Sequence, residues 1–328
     1  FGEEVKQLSW RTLSRMGLVV AVVFIFCSSL SAAEESWPSK PITTIIGWSA
    51  GGGSDITARL LFPYVERILG AKVVIVNKPG AGGEISFVEL AHSKPDGYTW
   101  AWTNTPNVVS FPIMRKTNYS LDAFEPCCNV IYDPGVIVVR ADSPFKSMKE
   151  MLDYADKNPG RLTISNSGLG GDDYIAVRLL EEAADIKVSQ VAFEGAGANV
   201  PAILGGHVDA GAVNVSEVKP YVESGKMRAL AVMDEERSHL LPDVPTFKDL
   251  GYNVVSGSAR GFSAPKGTPM AIIEKMSLAV KEALEDPDFK KKAEEAYQLI
   301  KYMSPAEYKH YLYELQETLK RLYEKSPW

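Results

Sequence analysis

A chain of 328 residues with 45% hydrophobic and 23% charged side chains is long enough for two globular domains. Its formal net charge of −6 argues against nucleic acid as a partner, which would want a basic face. Three cysteines, Cys27 and the adjacent Cys127 and Cys128, supply neither a disulfide framework nor metal-ligand spacing; the adjacent pair reads as small buried apolar residues.

Arg11 and Arg15 precede an apolar run from Met16 to Phe26, and Ser31-Ala32-Ala33 follows with small side chains at the cleavage positions. This predicts a secretory signal peptide over residues 1–33, too short for a comfortable membrane span. The bulky Phe24-Ile25-Phe26 ahead of Cys27 argues against lipidation. Without this segment, which carries three basic and two acidic side chains, the chain has a charge of about −7.

Ile42 to Ile46 predicts a buried strand, and Ile56, Leu60, Leu61, Val65, Ile68 and Leu69 recur at helical spacing. Between them lies Gly47-Trp48-Ser49-Ala50-Gly51-Gly52-Gly53-Ser54-Asp55, with Ser54 or Asp55 expected to cap the helix. Three consecutive glycines exceed what a turn needs, and a helix N-terminus offers unpaired N–H groups to an anion. A tight turn without a ligand is the alternative. Pro63 is expected to kink this helix.

Val73 to Val76 predicts the next strand, followed by the loop Asn77-Lys78-Pro79-Gly80-Ala81-Gly82-Gly83 and a short helix from Glu84. Tyr98 to Thr103 and Val136 to Arg140 are further strand signals. Ser147 to Glu150 is a capping box, opening a helix that stops at Asn158-Pro159-Gly160. The strand Leu162 to Ser165 runs into Asn166-Ser167-Gly168-Leu169-Gly170-Gly171-Asp172-Asp173, a second glycine-rich turn ahead of a helix. Val188 to Phe193, Val208 to Val213 and Arg228 to Val232 predict strands, with helices between. Thr268-Pro269 and the capping box Ser304 to Glu307 open two helices at the end, whose aromatic and leucine stripes are core packing. The alternation implies an α/β fold with mostly parallel sheets.

The repeated strand, glycine turn and helix start suggest two half-sites at the carboxyl ends of strands, from two domains that close on a small solute. Enzyme equipment is missing: the four histidines do not cluster, and no HExxH, Gly-x-Ser-x-Gly, P-loop or dinucleotide fingerprint occurs. No metal or cofactor is implied. Asp172-Asp173 reads as a helix cap with a first-turn acid rather than a catalytic pair.

Six pieces in order carry a resemblance. They are Trp37 through Gly51-Gly52-Gly53-Ser54-Asp55 to Arg59, Asn77 to Gly83, Gly205 to Ala210, Gly225 to Val232, Leu241 to Thr246 and Ala264 to Pro269. The chain resembles the periplasmic substrate-binding proteins of tripartite tricarboxylate transporters, from about Pro38 to Trp328. The resemblance implies a two-domain periplasmic binding protein fold, type II-like, each domain a mixed sheet flanked by helices, with the cleft between them. One domain would join residues 36–138 and 260–328, the other 139–259, with crossings near Val136–Arg140 and Arg260–Ala264.

It implies a monomeric, periplasmic, non-enzymatic receptor for a small carboxylate-bearing organic anion, a di- or tricarboxylate or similar. The partners would be the large and small integral membrane subunits of a permease. A sensor subunit or a periplasmic enzyme on this fold are the alternatives. Carried over, Ser49, Gly52, Gly53, Ser54 and Asp55 would form one half-site; Ser167, Gly168, Gly170, Gly171 and Asp172 the other. Ala81 and Thr103, Asn104 and Thr105 would line the side, with Asn214 and Glu217 as the floor. Two departures, Tyr174 in place of a histidine and Trp48 in place of a proline, are expected to reshape the pocket. Arg260 either pairs a further carboxylate of the ligand or is a hinge arginine with a structural partner.

Overall fold

Short apolar runs need pairing partners and amphipathic helices need a surface to cover, and in this chain one mixed sheet serves both. In the computed structural model residues 37–193 and 195–328 are described, and Lys40–Trp328 forms a unit to which everything below refers. The signal peptide expected over residues 1–33 lies outside the described residues.

The first part follows the predicted alternation. β1 (Ile42–Ile46), α1 (Gly53–Leu69), β2 (Val73–Asn77), α2 (Glu84–Ala91) and β3 (Thr99–Trp102) succeed one another, and β1 pairs in parallel with both β2 and β3. α1 runs through Pro63. Its N-cap is Gly52 without a side-chain cap, so Ser54 and Asp55 lie in the first turn rather than at the cap. α3 (Asn107–Met114) follows, apolar all round and so without a clear period.

β4 (Phe124–Arg140) is the spine of the molecule. Its first part pairs antiparallel with β9 (Gly257–Pro265), and the register shifts twice, between Pro126 and Cys128 and between Asn129 and Ile131. From Gly135 onward it is flanked by β7 (Ala210–Asn214) and β8 (Met227–Met233), both antiparallel. Beyond β7 the sheet continues in parallel through β5 (Thr163–Asn166) to β6 (Ser189–Ala192). β9 also pairs with β3, and β10 (Ile300–Met303) with β4. The strand order is therefore β2-β1-β3-β9-β4-β7-β5-β6. The expectation of mostly parallel sheets is corrected to a mixed sheet, because the long crossing strand β4 makes only antiparallel pairs.

Helices α4 (Met148–Lys157), α5 (Asp172–Ala184), α6 (Ala196–Leu204) and α7 (Val215–Glu223) cover the β5–β8 half. Strand alternation separates the two faces there: Ile137 and Val139 join one buried cluster, Val136 and Val138 another. On the other half lie α8 (Met270–Glu285), α9 (Pro287–Glu295) and α10 (Pro305–Lys325). The core of that half includes Trp100, Trp102, Phe62 and Phe262, in edge-on and tilted ring contacts with centroids 5.8 to 6.4 Å apart. Both expected caps begin helices, but only Ser304 completes the box: Ser147 Oγ accepts from the Glu150 N–H at 3.3 Å while the Glu150 carboxylate takes the Lys146 N–H at 2.7 Å instead, and Ser304 Oγ accepts from the Glu307 N–H at 3.4 Å. Thr268 does not cap α8; its hydroxyl donates to the Pro265 carbonyl at 2.8 Å.

Candidate functional site

The first glycine loop is braced by an internal carboxylate. Asp55, 2% exposed, accepts the Gly51 N–H at 2.8 Å, Arg59 Nε at 2.9 Å and the Asn77 amide at 3.0 Å. The same Asn77 amide donates to the Trp48 carbonyl at 3.1 Å. Although burial opposes it, these donors hold the Asp55 carboxyl below its ordinary range. Asp55 therefore fixes the loop, and its oxygens are engaged by the protein itself. Trp48 turns toward the core: its ring meets Phe87 edge-on at 6.1 Å and lies so close to Gly83 that a Cβ there would be 3.1 Å away. Ser49 stays exposed, and Ala81, also exposed, has a positive φ of 48°.

Next to this loop stands Arg260. A side chain at Gly53 would begin 2.6 Å from its guanidinium, so only glycine lets the α1 N-terminus come this near. Arg260, 4% exposed, donates to the Asp133 carboxylate at 3.0 Å and lies 3.9 Å from that of Glu217. Asp133 also receives the Ser216 backbone N–H at 3.2 Å and the Ser216 hydroxyl. Of the two readings of Arg260, the structural partner is thus present. Thr103 N–H donates to the Gly261 carbonyl and Thr105 N–H to that of Ala259, which puts Asn104 opposite Arg260 on the same sheet face. The Asn104 amide donates to Ser54 Oγ at 2.6 Å, while its Oδ1, fully buried, has no partner.

Thr103 and Thr105 face protein instead. Thr103 bonds Ser263 and Tyr308, and Thr105 bonds Tyr311 and the Ala259 N–H. They position β3 against β9 and α10.

The second glycine loop is seated against α3. Ser110 Oγ donates to the Gly170 carbonyl at 2.7 Å, and a Cβ on Gly170, whose φ is 76°, would fall 2.7 Å from Met114 Sδ. Gly168 N–H bonds the Asn166 side chain at 3.0 Å, Gly171 N–H closes a turn on the Gly168 carbonyl, and Ser167 donates to Asp173. Gly171, without a side-chain cap, is the N-cap of α5, so Asp172 and Asp173 are first-turn acids and neither is the cap. Tyr174 packs on Trp328, with ring centroids 6.3 Å apart.

Asn214 ties this loop to the centre. Its amide reaches Asp172 Oδ2 at 2.8 Å and the Asp133 carbonyl at 3.0 Å, and its N–H donates to Glu217 Oε2 at 3.0 Å. Three helix N-termini, those of α1, α5 and α7, thus converge on Arg260, Asp133, Asp172, Asp173, Asn214 and Glu217. Burial raises Asp172, with Asp133 adding repulsion, and raises Asp173 well above the ordinary range, with Asp172 and Glu217 adding repulsion. It pushes Glu217 up to about 7 despite Arg260. Asp133 is missing from the sequence reading, and Asp173 appears there only as part of a helix cap with a first-turn acid. Asp133 lacks any local signal, since its partners Arg260 and Ser216 are 127 and 83 residues away.

Among the described residues no group of His, Cys, Asp and Glu could hold a metal ion, and no helix is long and apolar enough to cross a membrane. A surface groove lined by Tyr132, Asp234, Arg237, His239 and Lys301 contains none of the expected site residues. It has no glycine turn or helix N-terminus, the two features on which the expected half-sites are built.

A family model described as "Tripartite tricarboxylate transporter family receptor" matches residues 57–326. A UPF0065 protein of Cupriavidus necator is 34% identical over 321 residues, covering 95% of this chain and 96% of its own. A TctC solute-binding protein from Polaromonas has a similar structure, at 30% identity and TM-score 0.75, covering 88% of this chain and 99% of its own. MatC from Rhodopseudomonas palustris, solved with bound malate, is 26% identical at TM-score 0.78, covering 87% and 99%.

Proposed function

The chain belongs to the tripartite tricarboxylate transporter receptor family, whose members are periplasmic solute receptors with the periplasmic binding protein fold, and we propose that it captures a small carboxylate-bearing organic anion for a membrane permease. The observation that supports this reading is the chain of contacts linking the two glycine turns, each of which opens a helix: Gly53 lies against Arg260, Arg260 pairs with Asp133, and Asn214 bonds both Asp133 and Asp172. A carboxylate between them would meet unpaired N–H groups and two positive helix ends. Malate in the MatC structure supports a ligand of this class.

In this reading the lobes are residues 36–138 with 260–328, and 139–259. They hinge near Gly135, where β4 exchanges β9 for β7 and β8. Ser49, Gly52, Gly53 and Ser54 supply one half-site, Ser167 to Gly171 the other. The chain would act as an exported monomer, without cofactor or catalysis, handing its ligand to a large and a small membrane subunit.

Calorimetric titration tests this. Protein stripped of carried-over ligand by unfolding and refolding is titrated with citrate, other di- and tricarboxylates, amino acids and aromatic carboxylates. One saturable site for a carboxylate, with no product formed, is expected. Gly53→Ala should weaken it at least tenfold by pushing Arg260 into the site. No carboxylate binding would overturn the reading.

A further inference from the structure

Gly171 is the N-cap of α5, so the second glycine loop and that helix form one continuous piece. Tyr174, Arg178 and Glu182 recur every four residues along α5 and share one face. What meets this face is the last turn of α10 and the residues after it, from the other half of the sheet. Trp328 packs on Tyr174 with ring centroids 6.3 Å apart and is braced edge-on by Tyr323 at 5.0 Å. The Arg178 guanidinium donates to the Ser326 hydroxyl and, at 3.5 Å, to its carbonyl, while Lys325 pairs with Glu182. Ile175, 3% exposed, joins the buried cluster that contains Leu319 and Leu322 of α10.

Met114, at the end of α3, ties this contact to the glycine loop. Its sulfur faces Gly170, and its carbonyl accepts the Tyr323 hydroxyl at 3.4 Å. Drawing the second glycine loop away from the N-terminus of α1 would therefore also separate α5 from residues 323–328. The contact is a marginal one. Arg178 Nε and Trp328 Nε1 are shut away from water without an acceptor, and both would regain water when the contact opens. The side chains of the Lys325–Glu182 pair are 66% and 43% exposed, so the pair contributes little.

Resting on the reading that the two halves close on a ligand, we propose that residues 323–328 are a clasp, which grips α5 in the closed arrangement and lets go on opening. Arg178, Glu182, Lys325, Ser326 and Trp328 belong to neither glycine turn. The clasp therefore acts on the closed population and not on the ligand itself. A ligand enters the open form and leaves when the clasp lets go. Weakening the clasp speeds departure and leaves entry as it was.

The test is kinetic, on the refolded chain, with whichever of citrate and the other di- and tricarboxylates binds most tightly. Trp328→Ala should release it at least about fivefold faster, the scale of a lost aromatic pair, with the association rate within about twofold of the parent's. Glu182→Lys should release it about twofold faster, and Glu182→Lys with Lys325→Glu should return to the parent rate. Unchanged release in both single variants overturns the clasp and leaves the carboxylate reading standing. The exposed Glu182 and Lys325 pair decides the matter even if Trp328→Ala does not fold. Binding of no carboxylate overturns the carboxylate reading, and small-angle scattering without ligand then decides the clasp. A larger radius of gyration for Trp328→Ala than for the parent supports it, and equal radii overturn it.

Discussion

Arg260 and Asp133 are 4% and 0% exposed, a buried ion pair at the centre of the sheet. Removing one partner leaves the other charged and dry, which costs about 3–5 kcal/mol. Arg260→Met should therefore lower the urea midpoint sharply, whereas Arg260→Met with Asp133→Asn should recover much of the loss; equal losses would contradict the pairing. Glu217 adds a pH dependence. Its carboxyl rises from 4.5 to about 7, burial being the main cause, so the folded chain holds this proton more tightly than the unfolded one. Its stabilising effect is complete below about 4.5 and is lost as pH rises through 7. Glu217→Gln, neutral throughout, should gain stability over the parent chain between pH 5 and pH 8; parallel urea-midpoint curves would contradict the assignment. Residue types at these positions were legible in the sequence, but roles were not. Asp55 stands out beside the glycines, yet what engages it includes Asn77, 22 residues on. Trp48 reads as a pocket residue; it is half-buried, and its contacts with Phe87 and Gly83, which orient its ring, have no local signal.

At the level of elements, local chemistry sets some boundaries and distant pairing sets others. Ser304 begins α10 with a reciprocal box, its N–H donating to Glu307 Oε2 at 2.8 Å. Ser304→Ala should cost about 0.5–2 kcal/mol in urea unfolding without altering ligand affinity; a change in affinity would contradict a purely local role. That helix was readable because its cap and stripe lie within one segment. β4 was readable only from Val136 to Arg140. Its earlier part contains Pro126 and Pro134, which weaken any strand signal, and the pairing with β9 that holds it comes from more than 100 residues away. α3 escaped the reading because an apolar helix with Pro112 inside has no stripe, although its Ser110 and Met114 seat the second glycine loop.

On the scale of the whole molecule, the sheet is continuous through β4, and its two halves carry separate buried clusters, with Ile175 of α5 joining the cluster of the other half. The glycine turns and the order of motifs made the two-half plan legible, since each turn follows its own strand. The acid-rich centre was not, because it assembles from β4, β9, α5 and α7. Two halves joined by a few strands are expected to close on a ligand, so small-angle scattering should show a smaller radius of gyration on saturation; an unchanged radius would contradict closure. The most direct measurement of the central claim is an amide ¹⁵N–¹H titration of the refolded chain with its tightest carboxylate ligand. The account predicts that amides at residues 52–55 and 167–173 shift together along one saturation curve. Shifts confined to the groove around Asp234 and His239, with both glycine loops silent, would contradict it.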